Sequence, residues 1–199
     1  MGTMELQLLF SMAVFSFVTA VTPGPNNTVL MTLGLNYGFK KSIPFLAGIQ
    51  TGIIIVLATL ALGLNAILAA NPQLLVWLRY LGFAYILYLS WRIIRSTDTA
   101  QDAGSGPIGF VKAVSLQFVN PKVWVTMTAF VASYIPVGTS VVEYLFIFAL
   151  VTTSKIPGAA AWALFGQLLG NILSNPKQRK VFNIVAAGAL TLSMIPLVF

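Results

Sequence analysis

The chain has 199 residues, 58% apolar and 8% charged, with a mean hydropathy of +0.90. Soluble domains carry about 25% charged residues, so 11 Lys and Arg with 4 Asp and Glu cannot clothe a water-facing surface, and lipid is the solvent this composition suits. The net charge of +7 gathers in short stretches between apolar runs and forms no basic, aromatic-interleaved face, which excludes nucleic acid as a partner; the lack of Cys and His removes disulfides, thiolate or imidazole metal sites and Cys/His catalysis.

In chain order, six apolar spans are expected, each needing roughly 20 residues for a ~30 Å hydrocarbon core. The first runs over residues 6–21, is interrupted by Thr22-Pro23-Gly24-Pro25-Asn26-Asn27, and resumes over 28–35; neither part suffices alone. Its opening has the look of a signal-peptide core ending at Thr19-Ala20, but no basic residue precedes it and further spans follow, so it reads as retained membrane structure. Lys40 and Lys41 precede the second span, 43–68, and a loop near Asn71-Pro72 leads to the third, 74–94. Within the third, Arg79 lies near enough to the outer end to snorkel. Residues 96–107, built of Ser, Thr, Asp, Gln, Gly and Pro, are linker-like. The fourth span, 110–135, is interrupted by Asn120-Pro121-Lys122, and the fifth, 141–171, by Ser154-Lys155-Ile156-Pro157-Gly158. The sixth, 181–199, follows Lys177, Arg179 and Lys180.

The cations set an orientation. With both termini outside, Lys40, Lys41, Arg92, Arg95, Lys112, Lys177, Arg179 and Lys180 all fall in cytoplasmic loops, and the outer loops carry no Lys or Arg. Pro23 and Pro121 stand 98 residues apart, and the second and fifth spans begin at 43 and 141, the same interval. Residues 1–100 and 105–199 therefore read as a repeated three-span unit within a single transmembrane domain. An odd number of spans inserts the second copy in the opposite sense. The expected fold is thus an all-α integral membrane protein: six transmembrane helices in two inverted three-helix repeats with discontinuous helices, an arrangement that recurs in transporters.

The breaks carry the chemistry. Thr22-Pro23 and Asn120-Pro121 each match a helix start, an N-cap residue followed by proline at the first helical position, and Gly24 and Pro25 stop a continuous helix through the first break. A half-helix N-terminus offers N–H donors and about half a positive charge to an anion such as a carboxylate. Asn26, Asn27 and Asn120 add amide groups; Lys122 and Lys155 add charge. Asn175-Pro176-Lys177 repeats the second tripeptide in a loop, where it is simply a helix start, and Lys122 reads equally well as a snorkelling residue at the cytoplasmic edge. Lys155 lies near mid-depth, where Lys costs about 2.5–3.5 kcal/mol on insertion scales, so a polar cavity is expected around it. Asn26-Asn27-Thr28 fits the glycosylation pattern, but its place between apolar half-helices rules that out. Trp77, Tyr80, Tyr85, Tyr88, Trp91 and Trp124 read as interface or packing residues, any one of which could hold an ammonium by cation–π contact. No Asp or Glu lies inside a span, which leaves no acidic proton relay and disfavours a cationic amino acid as cargo. Intramembrane enzyme chemistry would be reduced to Ser154 or Ser133 with Lys155, with no third group to orient the base, so the chain is not read as an enzyme. Gly166 and Gly170 form a GxxxG spacing suited either to a homodimer or to contacts between helices of one chain.

Thr22-Pro23-Gly24-Pro25-Asn26 at the end of the first apolar run resembles the signature of the lysine exporter (LysE/RhtB) family. Also matching are Gly38-Phe39, Ala47-Gly48 with Gly52, the run from Leu81 to Tyr88, Phe118-Val119-Asn120-Pro121-Lys122, and Asn183 with Gly188. Asn27, the carboxylate-free second span and Gln117-Phe118-Val119-Asn120 are most similar to the cysteine/O-acetylserine exporter branch. The resemblance implies a multi-pass protein of the inner (cytoplasmic) membrane that exports small neutral amino acids or derivatives such as cysteine, O-acetylserine, threonine or homoserine. It implies drive by the proton gradient, with lipid and a small-molecule amino-acid substrate as partners and no cofactor. The substrate site expected from breaks and resemblance together is Thr22, Pro23, Gly24, Pro25, Asn26, Asn27, Asn120, Pro121, Lys122 and Lys155. The rival reading is a passive channel or pore for small polar solutes.

Overall fold

Apolar runs punctuated by proline fold here as helices that stop where an N–H is missing. The computed structural model describes residues 3–64, 71–95, 107–136, 139–173, 175–192 and 195. Among them are eight α-helices and no strand, as expected of an all-α membrane protein: α1 (Thr3–Val21), α2 (Pro25–Tyr37), α3 (Phe39–Thr59), α4 (Pro72–Arg95), α5 (Phe110–Val119), α6 (Pro121–Tyr134), α7 (Val141–Ile172) and α8 (Pro176–Leu192). A π-helical turn, Leu60–Leu64, extends α3.

The stretch Phe39–Gly63 and the helix Val141–Ile172 are each long and apolar enough to cross a membrane, and Leu6–Val21 with Pro25–Tyr37, bent by 59°, adds a broken span. The other three expected spans fall on α4, on α5 with α6, and on α8. The Arg79 side chain, the linker over 96–106, and residues 193, 194 and 196–199 of the sixth span lie outside the described residues. Two breaks are where the prolines put them, at Thr22–Gly24 and at Asn120. The third is not: α7 runs unbroken through Ser154, Lys155 and Pro157. A lone proline removes one hydrogen bond, which a 32-residue helix tolerates.

Packing is set by glycine. α2 lies along α7, and α1 also lies against α7. A Cβ added at Gly34 would sit 2.0 Å from the Ala163 carbonyl oxygen, and one at Gly166 1.9 Å from that of Met31. Gly170 meets Leu35 in the same way, at 2.5 Å. The Gly166/Gly170 spacing is therefore filled by α2 of the same chain, and it does not point to a second copy. α3 packs on α5 through Gly48 against Phe110 and Gly52 against Gln117, while α4 pairs with α8. At the α2–α3 turn Gly38 takes φ 82, and Phe39 N donates to Gln167 Oε1 (2.7 Å). Phe45, Phe130, Met12, Leu30 and Leu57 fill the core, whereas Leu6, Phe10, Val125, Leu145, Leu168 and Val185 face outward. Large apolar side chains on the outer face fit contact with lipid.

Candidate functional site

The first break begins as a hydrogen-bond deficit. Pro23 and Pro25 cannot donate to the carbonyls of Thr19 and Val21, which an unbroken helix would have required. Side chains make up the loss. Thr22 Oγ1 donates to Thr19 O (3.0 Å), Asn27 Nδ2 to Ala20 O and Thr22 O (2.7 Å each), and Trp162 Nε1 to Val21 O (3.2 Å). Lys122 Nζ donates to Thr22 O (2.7 Å), Thr22 Oγ1 (2.8 Å) and Pro23 O (3.1 Å). Every carbonyl from Thr19 to Pro23 thus has a donor, and the ammonium sits where the α1 dipole is negative. Gly24 makes room for it, since a Cβ there would lie 3.0 Å from Lys122 Cδ.

The two helix starts that follow the breaks differ. α6 is closed: Asn120 Oδ1 accepts from Lys122 N (3.1 Å), with Pro121 at the first position, as the sequence predicts. The same geometry recurs at Asn175, whose Oδ1 accepts from Lys177 N (2.9 Å). α2 is open. The expected cap Thr22 is not its cap; the helix begins at Pro25 with Gly24 as N-cap, and no side chain accepts from its first N–H groups. Thr22 is drawn instead to the end of α1, because the carbonyls freed by two prolines compete for its hydroxyl.

A hub of amides ties the two breaks together. Asn26 Nδ2 donates to Gln117 Oε1 (2.8 Å), while Asn26 Oδ1 accepts from Gln117 Nε2 (3.1 Å) and Asn120 Nδ2 (3.4 Å). Gln117 is fully buried and also donates to Ala113 O (2.8 Å). Beside the hub lies an open-mouthed cavity, whose roughly 500 Å³ of space free of protein atoms includes the open solvent at its mouth. Gly24, Pro25, Asn26, Asn27, Asn120, Lys122 and Lys155 border it, joined by Thr19, Gln50 and Thr126. Of the ten expected site residues, Thr22, Pro23 and Pro121 do not line it; the first two hold Lys122 through their oxygens, and the third starts α6.

Lys155 is 5% exposed, and its Nζ donates to Thr19 Oγ1 (2.6 Å), not to Ser154 or Ser133. An ammonium has three protons, so two stay uncommitted beside the open start of α2. Lys122, by contrast, has all three engaged. The sequence reading missed Gln50 and Gln117. Gln117 stood in the Gln117-Phe118-Val119-Asn120 stretch without being given a role, and Gln50 is a lone amide in an apolar span, the mark of a buried polar group needing a partner.

Comparison with known proteins gives a consistent answer. Residues 17–196 match the family model described as LysE type translocator. A cysteine/O-acetylserine efflux protein of Salmonella typhimurium is 31% identical over 169 residues, 83% of this chain and 85% of the relative. Proteins of the same description from Klebsiella pneumoniae (30% over 162 residues, 81% and 83%) and Escherichia coli (31% over 182 residues, 90% and 92%) are similar. No solved structure matches the chain.

Proposed function

This chain belongs to the LysE type translocator family, and from that premise we propose that it is a secondary active transporter exporting small neutral amino acids or their derivatives from the cytoplasm. Cysteine and O-acetylserine, named in the descriptions of its relatives, are the first candidates, with threonine and homoserine beside them. The observation that carries the reading is the pairing of an uncapped helix start with a buried ammonium holding two free protons, at one cavity. The α2 N–H groups and Lys155 receive the substrate carboxylate. Lys122 serves to hold the α1 end.

Residues 1–100 and 105–199 form two inverted three-helix repeats, six spans in all, with both termini outside the inner membrane. That α1 packs on α7 while α5 packs on α3 supports this, because each broken span then meets the middle helix of the other half. Transport is coupled to the proton gradient, and access alternates by rocking of helix groups around the cavity.

The test is counterflow of labelled cysteine, O-acetylserine, threonine and lysine in proteoliposomes, with and without an imposed pH gradient. Saturable, gradient-sensitive exchange of a neutral amino acid is expected, and Lys155→Met should abolish it while the protein still reconstitutes. Flux that neither saturates nor follows the gradient would replace the exporter with a passive pore. Unimpaired exchange by Lys155→Met would refute the carboxylate placement.

A further inference from the structure

We infer that Gln50 receives the α-ammonium group of the substrate through Oε1 and a carboxylate oxygen through Nε2, restricting cargo to molecules that carry both groups on one carbon; this deepens the proposed export of amino acids and rests on it. Gln50 stands mid-way along α3, is 6% exposed and lines the cavity. Neither its Oε1 nor its Nε2 has a hydrogen-bond partner. A buried amide bare at both ends is uncommon, because each unmet group forfeits the hydrogen bond it made with water. Among the described residues Ser16 and Thr152 also carry such an atom, but neither borders the cavity.

The other amides at the site are wholly or partly committed. Asn26 and Asn120 bond within the hub, and Asn27 Nδ2 donates to the end of α1. Among the described residues the cavity is lined by two ammonium groups, those of Lys122 and Lys155, and by no carboxylate. An incoming ammonium therefore needs a neutral oxygen, and Gln50 Oε1, buried with nothing donated to it, is one that the cavity offers. The backbone that carries Gln50 is held in place: Gly48 and Gly52, two residues to either side, bring α3 against α5 so closely that a Cβ at either would lie 2.4–2.5 Å from it. An amide with a donor and an acceptor side by side matches the adjacent ammonium and carboxylate of an α-amino acid, whatever its side chain.

Gln50→Met keeps the volume and removes both polar atoms. The probes are L-cysteine and 3-mercaptopropionate, which differ only in the α-amino group, each used to compete with labelled cysteine counterflow. Gln50→Met removes the Nε2–carboxylate bond from both probes and the Oε1–ammonium bond from cysteine alone, so cysteine should weaken by about tenfold or more beyond 3-mercaptopropionate, the scale of one lost charge-assisted hydrogen bond. Equal weakening of both, or of neither, would overturn the assignment. Thermal unfolding of ligand-free protein guards against a merely structural effect. Losing an unpartnered amide should leave the midpoint unchanged or raised, and a fall would mean that Gln50 supports the fold. Should wild-type protein exchange no amino acid at all, the exporter reading fails first and this assignment falls with it.

Discussion

Lys122→Met separates two roles for a lysine beside a cavity. If its ammonium served the substrate, the substitution would weaken transport and leave stability alone. The holding role proposed for Lys122 predicts the reverse, since Nζ makes three bonds to oxygens of Thr22 and Pro23. Hydrogen bonds to a charged group are worth about 1.5–3 kcal/mol each. The three share one ammonium that is only partly buried, so they do not add fully, and a combined loss of about 2–4 kcal/mol follows from the same range. Pro23 O is left with no donor, while Thr22 O keeps Asn27 Nδ2. At about 2–4 °C per kcal/mol for a chain of this size, the thermal midpoint in detergent, read by tryptophan fluorescence, should drop by roughly 5–15 °C. Lys155→Met, which gives up a single bond to Thr19, should hold or raise the midpoint and still abolish exchange. Thr22→Val, which keeps the backbone acceptors, should fall between wild type and Lys122→Met. Unchanged stability of Lys122→Met, with loss confined to substrate affinity, would refute the argument.

Asn120→Ala removes both the cap of α6 and one arm of the amide hub; a loss of about 1–2 kcal/mol is expected, read as a lower thermal midpoint. Gly34→Val must move α7 off α2, because even a methyl group would sit 2.0 Å from Ala163 O, and monodisperse protein should not be recovered on size exclusion. Because the chain has no Cys, single cysteines report topology cleanly. Replacements at Lys41 and Lys177 should react with impermeant maleimide only from the cytoplasmic side and one at Ser140 only from outside; the reverse pattern would invert the proposed orientation. Ser16→Ala and Thr152→Ala delete unpartnered hydroxyls and should leave stability unchanged or improved, as the same unfolding assay would report.

What the sequence made legible was the position of the breaks, because proline acts locally and its missing N–H can be counted. Hence Asn120-Pro121 is a capped helix start in sequence and structure alike, and the stop before Pro25 falls within the motif. Less legible was which partner each freed group would find. Thr22 reads as an N-cap from its neighbour Pro23, yet its hydroxyl serves Thr19 O, and the donors that complete the α1 end come from Lys122 and Trp162, far along the chain. Pro157 misled in the other direction, since its neighbours in α7 continue the helix. Gln50 escaped because an isolated amide within apolar residues carries no motif, and its meaning arises only from the bonds it lacks.

Tight and exchangeable contacts are segregated around the cavity. Within the group α1, α2 and α7, glycines seat one helix on the backbone of another at Gly34, Gly166 and Gly170, and Gly158 meets the Ala20 and Val21 side chains. α3 and α5 are joined likewise at Gly48 and Gly52. Such contacts tolerate little sliding, so each group moves as a body if it moves at all. Between the groups runs the Asn26–Gln117 bond, and beside it lie the Asn26–Asn120 bond and the three from Lys122 of α6 to the α1 end. Polar bonds of this kind can be replaced one for one by water or by an ammonium and a carboxylate, whereas a glycine contact cannot. Prolines in the motif therefore do more than bend a helix. By freeing carbonyls in lipid they require a polar seam, and a seam lined with replaceable bonds is where a small zwitterion can enter a bundle whose remaining joints are closed.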